Sequence, residues 1–238
     1  MSAIKVMIAN MPEPFIAVTH DCGNVMDQIS RSGKAVLGGL TVERFMKICM
    51  SIGDVLSVED IGIIEGSRRH VSSSGAVPAH SDGPQANVVA WFCVRQDEDD
   101  GTSILFDTAP VLRGLSSQVR TDLASIQVPY YDHTSATGRP ECHTPLLLGH
   151  DEGSWRVNYA PWLLPDPLDA RQRLAIAAFQ LAIASSQPTR IRLQPGQSLF
   201  VNNWRILHSR DSVKPDSTRL LKRAWVRTAR QSEMSGTG

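Results

Sequence analysis

The N-terminal part of the chain combines short apolar runs with one helical repeat of apolar positions. Residues 4–8 and the glycine-punctuated residues 33–40 each predict a short strand. Thr41 can cap a helix that Gly53 ends, because apolar residues between them recur every three or four positions. The residues that make up this apolar stripe are Val42, Phe45, Met46, Cys49 and Ile52.

The middle of the chain alternates between a polar loop and apolar strands. Residues 66–84 are rich in Ser, Gly and Pro and predict a loop that carries His80 and Asp82. Residues 86–94 are β-branched and aromatic, which is typical of a buried strand. An acidic turn that ends in glycine follows, and residues 103–106 are predicted to return as the second strand of a hairpin.

Helical spacing reappears after the predicted hairpin. A second helix is expected where Leu112, Leu115, Val119 and Leu123 follow one another. Residues 127–153 show no regular apolar pattern. Because structureless connections of this length are uncommon, this segment is predicted to be either a lid or a disordered insertion.

The C-terminal third predicts one helix followed by four strands. Asp166 or Asp169 can begin the helix, which ends before Pro188. Strands at this spacing with few helices between them favour an antiparallel barrel or jelly roll. We expect one domain over residues 1–238, with a frayed tail at 230–238. The four strands are predicted at residues 190–193, 197–201, 204–207 and 221–228.

Composition and charge narrow the classes of function. Lysine plus arginine (24) equals aspartate plus glutamate (24), so we expect neither a nucleic acid nor an acidic membrane surface as partner. No apolar run approaches the roughly 18–20 residues that span a bilayer. The four cysteines form no metal-binding pair, and we expect reduced thiols in a cytoplasmic protein. A small-molecule substrate is expected, and the sequence is compatible with a homo-oligomer.

The candidate chemistry begins with two histidines and a carboxylate. His80 and Asp82 are two residues apart, and such residues point the same way in extended backbone. His208 follows the strand predicted at residues 204–207. Two imidazoles and one carboxylate can form the facial triad of Fe(II) oxygenases. Alone, however, such a short motif is common in unrelated proteins. The other histidines (His20, His70, His133, His143 and His150) are expected at surface or packing positions, although His133 and His143 would face the pocket if their segment is a lid.

An arginine cluster strengthens the metal hypothesis. Arg219 comes eleven residues after His208, and Arg223 follows four residues later. If the surrounding residues form a strand, Arg219, Leu221 and Arg223 share one face. A guanidinium beside a metal can hold one end of a dicarboxylate by a bidentate ion pair, while the other end chelates the metal.

Three segments in this order resemble the taurine dioxygenase and clavaminate synthase-like 2-oxoglutarate oxygenases. They are PAHSDGP around His80, GTSILFD around Ser103, and PGQSLFVNNWRILHSRDSV around His208. The resemblance runs over about residues 33–228 and implies a mainly β fold with flanking helices, a double-stranded β-helix of the cupin-like jelly-roll type. It also implies Fe(II) as cofactor, with 2-oxoglutarate and O2 as cosubstrates.

The same resemblance implies a role for each candidate residue. His80, Asp82 and His208 would bind iron, and Arg219 would bind the far carboxylate of 2-oxoglutarate together with Ser103, or with Thr102 if the register differs by one. Arg223 and Arg156 would bind the substrate. Because relatives that halogenate carry a small residue in place of Asp82, its carboxylate favours hydroxylation or a related oxidation.

Two other functions remain open at this point. A cupin-type enzyme with another divalent metal would not need Arg219 and Ser103, and a non-catalytic jelly-roll binding protein would not need the triad. Within the oxygenase interpretation, an amino-acid-derived metabolite is favoured. A sulfonate or other small acid, or a substrate bound to a carrier protein, is the alternative.

Overall fold

Thirteen strands form the framework of the part of the chain that a computed structural model describes, residues 15–67, 69–98, 100–130, 142–149 and 154–228. The predicted strand at 4–8, the tail at 230–238, His133 and His150 lie outside these residues. In chain order the elements are α1 (Phe15–Ser32), β1 (Lys34–Leu37), α2 (Val42–Ile52), β2 (Gly53–Gly62), a 3-10 helix (His70–Ser72), β3 (Val77–His80), β4 (Val88–Arg95), β5 (Ser103–Asp107), α3 (Thr108–Gly114), α4 (Ser117–Ala124), β6 (Gln127–Tyr130), β7 (Cys142–Pro145), β8 (Leu147–Gly149), β9 (Trp155–Val157), a 3-10 helix (Pro161–Leu163), α5 (Ala170–Ala184), β10 (Thr189–Ile191), β11 (Ser198–Asn202), β12 (Ile206–Arg210) and β13 (Leu220–Thr228).

Two antiparallel sheets face each other. The larger sheet has the strand order β1-β11-β4-β13-β2, and the smaller has the order β10-β5-β12-β3. Apolar side chains from both sheets fill the space between them, among them Val89, Leu105 and Leu199. This arrangement confirms the predicted jelly roll with flanking helices, because alternate residues of each strand face the layer between the sheets.

Helices cover the outer faces of both sheets. Phe45 and Ile48 of α2 pack on Phe92 and Phe200 of the larger sheet. Leu207 of the smaller sheet belongs to a separate cluster with residues of α3, α4 and α5. The central strand β4 is therefore buried on both faces, which explains its nearly continuous apolar sequence. No helix in the described residues is long and apolar enough to cross a bilayer.

Several predicted elements are confirmed with small shifts. Thr41 accepts a hydrogen bond from the backbone N–H of Arg44 as the cap of α2. Asp169, rather than Asp166, caps α5. The predicted second helix is split into α3 and α4. The prediction of an irregular segment at 127–153 was wrong for the residues that the structure describes there, because they include the strands β6, β7 and β8. The strand predicted at 204–207 runs over β12 instead, so it includes His208.

Three predictions about the first half of the chain were wrong or incomplete. The strands at 86–94 and 103–106 do not form a hairpin, because β4 and β5 belong to different sheets and the connection between them crosses the layer. The predicted loop at 66–84 contains the strand β3. Neither α1 nor β2 was predicted; α1 contains Gly23, which disfavours a helix interior, and β2 is rich in acidic residues.

Candidate metal centre and adjoining cavities

His80, Asp82 and His208 come together where β3 and β12 pair. His208 lies directly opposite His80 in the register of the two strands, and the register shifts immediately afterwards. Such a β-bulge changes the direction of side chains beside it, and bulges are frequent next to active sites. One ligand atom from each of the three residues lies within 4.8 Å of the others.

Both histidines direct a ring nitrogen at the same oxygen of the Asp82 carboxylate. His80 Nδ1 lies 2.9 Å from the carbonyl oxygen of Pro78, so Nδ1 must carry the proton and Nε2 presents a lone pair. Nε2 of His80 and Nε2 of His208 each lie 3.7 Å from Asp82 Oδ1. Burial and the nearby His208 lower the pKa of His80 to about 3, so the imidazole of His80 is uncharged at neutral pH and can act as a metal ligand. The donor set and its charge therefore fit a divalent metal.

Asp82 is held in place by groups behind it. Nη1 of Arg223 lies 2.9 Å from both carboxylate oxygens, and Nε1 of Trp225 donates to Oδ2 at 2.8 Å. Burial opposes ionisation of this carboxyl, but the adjacent Arg223 guanidinium keeps its pKa well below the usual range. Asp82 is thus an anion with Oδ1 directed at the two imidazoles, which is the arrangement that a metal ligand needs.

Asn203 fixes the backbone around Asp82. Its side-chain oxygen accepts from the N–H of Asp82 at 2.8 Å, and its Nδ2 donates to the carbonyl oxygens of Asp82, Gly83 and Ala86. Asn203 is fully buried, so these bonds replace the water that the loop would otherwise need. Asn203 lies in the third of the sequence motifs, but the motif alone indicates no role for this side chain.

An inner cavity lies between the sheets on the His208 side of the triad. Ser103, Arg210 and Arg219 line it, and no acidic residue of the described chain does. Arg219 is buried and its Nε has no hydrogen-bond partner among the described residues. Burial and the charge of Arg210 lower the pKa of Arg219 to about 10, so it stays cationic at neutral pH. Gly101 makes room for it, because a Cβ there would lie 2.5 Å from Arg219 Cδ.

An outer cavity of about 590 Å³ opens on the other side of the triad. His80 and Asp82 form part of its floor, and Glu59 and Arg69 line its charged side. Its aromatic side includes Trp162, whose ring centroid lies 4.9 Å from that of His80. The triad therefore separates a narrow cationic cavity from a wider cavity of mixed polarity.

This geometry agrees with a comparison to protein families. The family described as "Taurine catabolism dioxygenase TauD, TfdA family" matches residues 24–225. The chain belongs to this family. It is accordingly a non-haem iron dioxygenase that depends on 2-oxoglutarate, as the three motifs predicted.

Solved structures of other oxygenases share the fold of this TauD/TfdA dioxygenase. Asparagine oxygenase in complex with Fe(II), 2S,3S-3-hydroxyasparagine and succinate matches with a TM-score of 0.76 and 19% identity, over 90% of this chain and 80% of that one. The non-haem iron oxygenase OrfP with Fe and alpha-ketoglutaric acid matches with a TM-score of 0.69 and 18% identity, over 91% and 80%. No curated protein matches the dioxygenase by sequence.

The predicted substrate arginines occupy different places in the dioxygenase. Arg223 lines both cavities, but its guanidinium is enclosed by the carboxylates of Asp82 and Glu59. Arg156 lines neither cavity, because its guanidinium lies 3.7 Å above the ring of Trp204. We therefore leave Arg156 out of the proposed substrate site.

Other residues of the dioxygenase lie where the sequence alone did not place them. Thr102 does not line the inner cavity, whereas Ser103 does. His70, predicted at a surface or packing position, lines the outer cavity and lies 4.3 Å from Trp162 between ring centroids. Glu59 was missed because its strand β2 was not predicted.

Proposed function

We propose that this dioxygenase hydroxylates, or otherwise oxidises, an unactivated C–H bond of a small amino-acid-derived or acidic metabolite in the cytoplasm. A single 2-oxoglutarate oxygenase domain over residues 1–238 would carry this activity. The observation that supports it most strongly is that Nε2 of His80 and Nε2 of His208 both lie 3.7 Å from the same oxygen of the ionised Asp82. A divalent metal fits among these three atoms, and a cavity lies on each side of the triad.

His80, Asp82 and His208 would hold the iron on one face. This arrangement leaves the other coordination positions open. Bound iron with 2-oxoglutarate and O2 supplies an oxidant for C–H bonds, with succinate and CO2 as the products of the cosubstrate. Arg223 and Trp225 hold the Asp82 carboxylate by hydrogen bonds, so its orientation does not depend on the metal alone.

The inner cavity would hold the far carboxylate of 2-oxoglutarate. Arg219 supplies a guanidinium that forms no ion pair within 4.0 Å among the described residues, and Ser103 lines the same cavity. A buried charge without a counter-ion is costly, which favours binding of an anion there. Apolar neighbours such as Leu105 and Leu199 exclude water and so strengthen this ion pair.

The outer cavity would hold the organic substrate. Positive and negative charges alternate along one side of this cavity from the mouth inward. Arg69 donates a hydrogen bond to Glu59 at 2.9 Å, and Arg223 donates one to the same carboxylate from the other side. The opposite side of the cavity is aromatic, with Tyr130 and Trp162. A zwitterionic or acidic molecule matches such a surface. Of the solved relatives named above, asparagine oxygenase is in complex with 3-hydroxyasparagine and succinate, and OrfP is in complex with alpha-ketoglutaric acid. A sulfonate is the alternative acid.

The test is 2-oxoglutarate turnover under air with Fe(II) and ascorbate, measured as succinate release against a panel of amino acids and small acids. We expect at least one panel member to stimulate succinate formation, and His80→Ala to reduce it by more than about 100-fold because a metal ligand is lost. His143→Ala is the matched control, since His143 lies exposed on β7 and should leave turnover unchanged. Equal turnover by wild type and His80→Ala would contradict the proposal.

A further inference from the structure

Arg210 is a buried arginine to which the proposed function gives no role. It follows His208 by two residues on β12, so both side chains leave the same face of the strand. In the strand register it lies opposite Ser103. It lines the inner cavity together with Arg219, and only about 7% of its surface is exposed.

The guanidinium of Arg210 is bound entirely by backbone carbonyl groups. Nη2 donates to the carbonyl oxygens of Ser73 at 2.5 Å and Gly75 at 2.6 Å. Nη1 lies 3.5 Å from the carbonyl oxygen of Val71, and Nε donates to that of Asp211 at 3.2 Å. Within the described ranges, no carboxylate forms an ion pair with it. The site therefore keeps a buried positive charge that neutral acceptors solvate but do not neutralise.

The segment that Arg210 holds, which we call the wall at residues 71–75, reaches both cavities at Val71. His70, beside Val71, lines the outer cavity and packs on Trp162, with 4.3 Å between the ring centroids. The position of the wall thus affects the shape of the inner cavity through Val71.

We propose that Arg210 is a positioning residue that fixes the wall at residues 71–75 and adds a second positive charge beside Arg219, so that the inner cavity selects a dianionic 2-oxo acid. The predicted effect on binding of the 2-oxo acid rests on the proposed function. The hydrogen bonds from Arg210 to the wall, which we call the tether, do not depend on that function. The positive charges of Arg210 and Arg219 repel each other, because both side chains line the inner cavity. A carboxylate that enters the cavity relieves that repulsion.

The experiment compares Arg210→Met and Arg210→Lys with wild type, and Arg190→Met serves as the matched control. Arg190 lies at an exposed position on β10, an edge strand of the same sheet, and pairs with Asp211, so its loss leaves the hydrogen bonds to the wall intact. Hydrogen exchange of the metal-free proteins reports on residues 71–75. Calorimetric titration of 2-oxoglutarate into Zn(II)-loaded protein reports on the inner cavity, because zinc has no redox chemistry.

Both Arg210 variants should exchange at least about tenfold faster at residues 71–75, because methionine has no N–H donor and the three donors of lysine leave one nitrogen, so they cannot replace the four contacts that three guanidinium nitrogens make. Arg210→Met should weaken 2-oxoglutarate binding by about tenfold or more, and Arg210→Lys by less, since lysine keeps the charge. The hydrogen bond from Val213 N–H to the Ser74 carbonyl oxygen (2.9 Å) remains, so the wall stays attached. If Arg210→Met does not fold, the comparison of Arg210→Lys with wild type still tests the proposal.

Zinc affinity separates positioning from general damage. It should be unchanged in both variants, because Arg210 bonds none of the triad side chains, whereas a merely structural defect would weaken zinc and 2-oxoglutarate together. If residues 71–75 exchange hydrogen at the wild-type rate in both variants, the inference that Arg210 fixes the wall is wrong. Unchanged 2-oxoglutarate affinity in Arg210→Met would overturn its role in the inner cavity. Failure of wild-type protein to bind 2-oxoglutarate would instead overturn the proposed function, and the exchange result would still decide the tether.

Discussion

Arg223→Met is expected to destabilise the metal-free protein by about 3–5 kcal/mol at neutral pH, because it leaves the buried carboxylate of Asp82 without its cation. Asp82 and Glu59 both bond Arg223, whose side chain is only 5% exposed. The side chain of Asp82 is equally buried, so water cannot replace the lost guanidinium. Methionine keeps the approximate volume of the side chain, which limits the effect of a cavity.

The destabilisation should depend on pH in one direction. The pKa of Asp82 is depressed in the folded protein, so its ionised form contributes stability above its unfolded pKa of about 3.9 and loses that contribution as pH falls through the folded pKa. In Arg223→Met, burial without the guanidinium raises the pKa of this carboxyl above its unfolded value, so protonation relieves the variant as pH falls toward 4 while wild type still keeps its full contribution. The difference from wild type should therefore be largest near pH 7 and shrink toward pH 4, as measured by urea unfolding at each pH.

The matched control for this variant lies on the same strand. Arg227 pairs with Asp54 at 3.5 Å, and its side chain is 58% exposed. Arg227→Met should cost less than about 1 kcal/mol at any pH, because exposed ion pairs contribute little. Arg223 does not compensate the charge of Asp82 if the free energy of unfolding falls equally in both variants. The same holds if the decrease in Arg223→Met does not change with pH.

Arg219→Met is expected to weaken 2-oxoglutarate binding by about 2–5 kcal/mol, which is roughly 30-fold to several-thousand-fold. The guanidinium groups of Arg210 and Arg223 also line the inner cavity, but they bond backbone carbonyl groups and carboxylates, whereas Nε of Arg219 has no hydrogen-bond partner among the described residues. Metal affinity should not change, because Arg219 bonds none of the three metal ligands. Calorimetry with Zn(II)-loaded protein measures both quantities on the same sample.

A neighbouring arginine provides the control for Arg219→Met. Arg95 is exposed and donates to the carbonyl oxygen of Thr218, the residue before Arg219. Arg95→Met should leave the affinity for 2-oxoglutarate within about twofold, because Arg95 lies outside the inner cavity. If Arg219→Met also binds 2-oxoglutarate as wild type does, the far carboxylate lies elsewhere and the inner cavity has another use.

The sequence predicted the three residues of the triad and Arg219 because each lies in a local motif with fixed spacing. The spacing of residues along a strand then determines which side chains share a face, as for Arg219 and Arg223. The surroundings of these residues were harder to predict. Glu59 lies on a strand with an acidic sequence, and its contact with Arg223 joins residues far apart in the chain.

Long-range packing explains the remaining differences. The pattern of β4 and β5 predicts two neighbouring strands, but it does not distinguish a hairpin from a crossing between two sheets. The position of Arg156 depends on where β9 packs, and that placed its guanidinium on Trp204 instead of in a cavity. The role of Asn203 follows from hydrogen bonds to a loop about 120 residues earlier in the chain, which no local pattern indicates.

The most direct test of the proposed site is anaerobic titration of Fe(II) and then 2-oxoglutarate into wild-type protein and Asp82→Ala. Without O2 the complex does not turn over, so binding is measured without knowledge of the substrate. The geometry of the triad predicts that wild type binds Fe(II) and then 2-oxoglutarate, and that Asp82→Ala loses most of both affinities. Wild-type protein that binds Fe(II) no better than Asp82→Ala, or that fails to bind 2-oxoglutarate once Fe(II) is present, would contradict the proposed site.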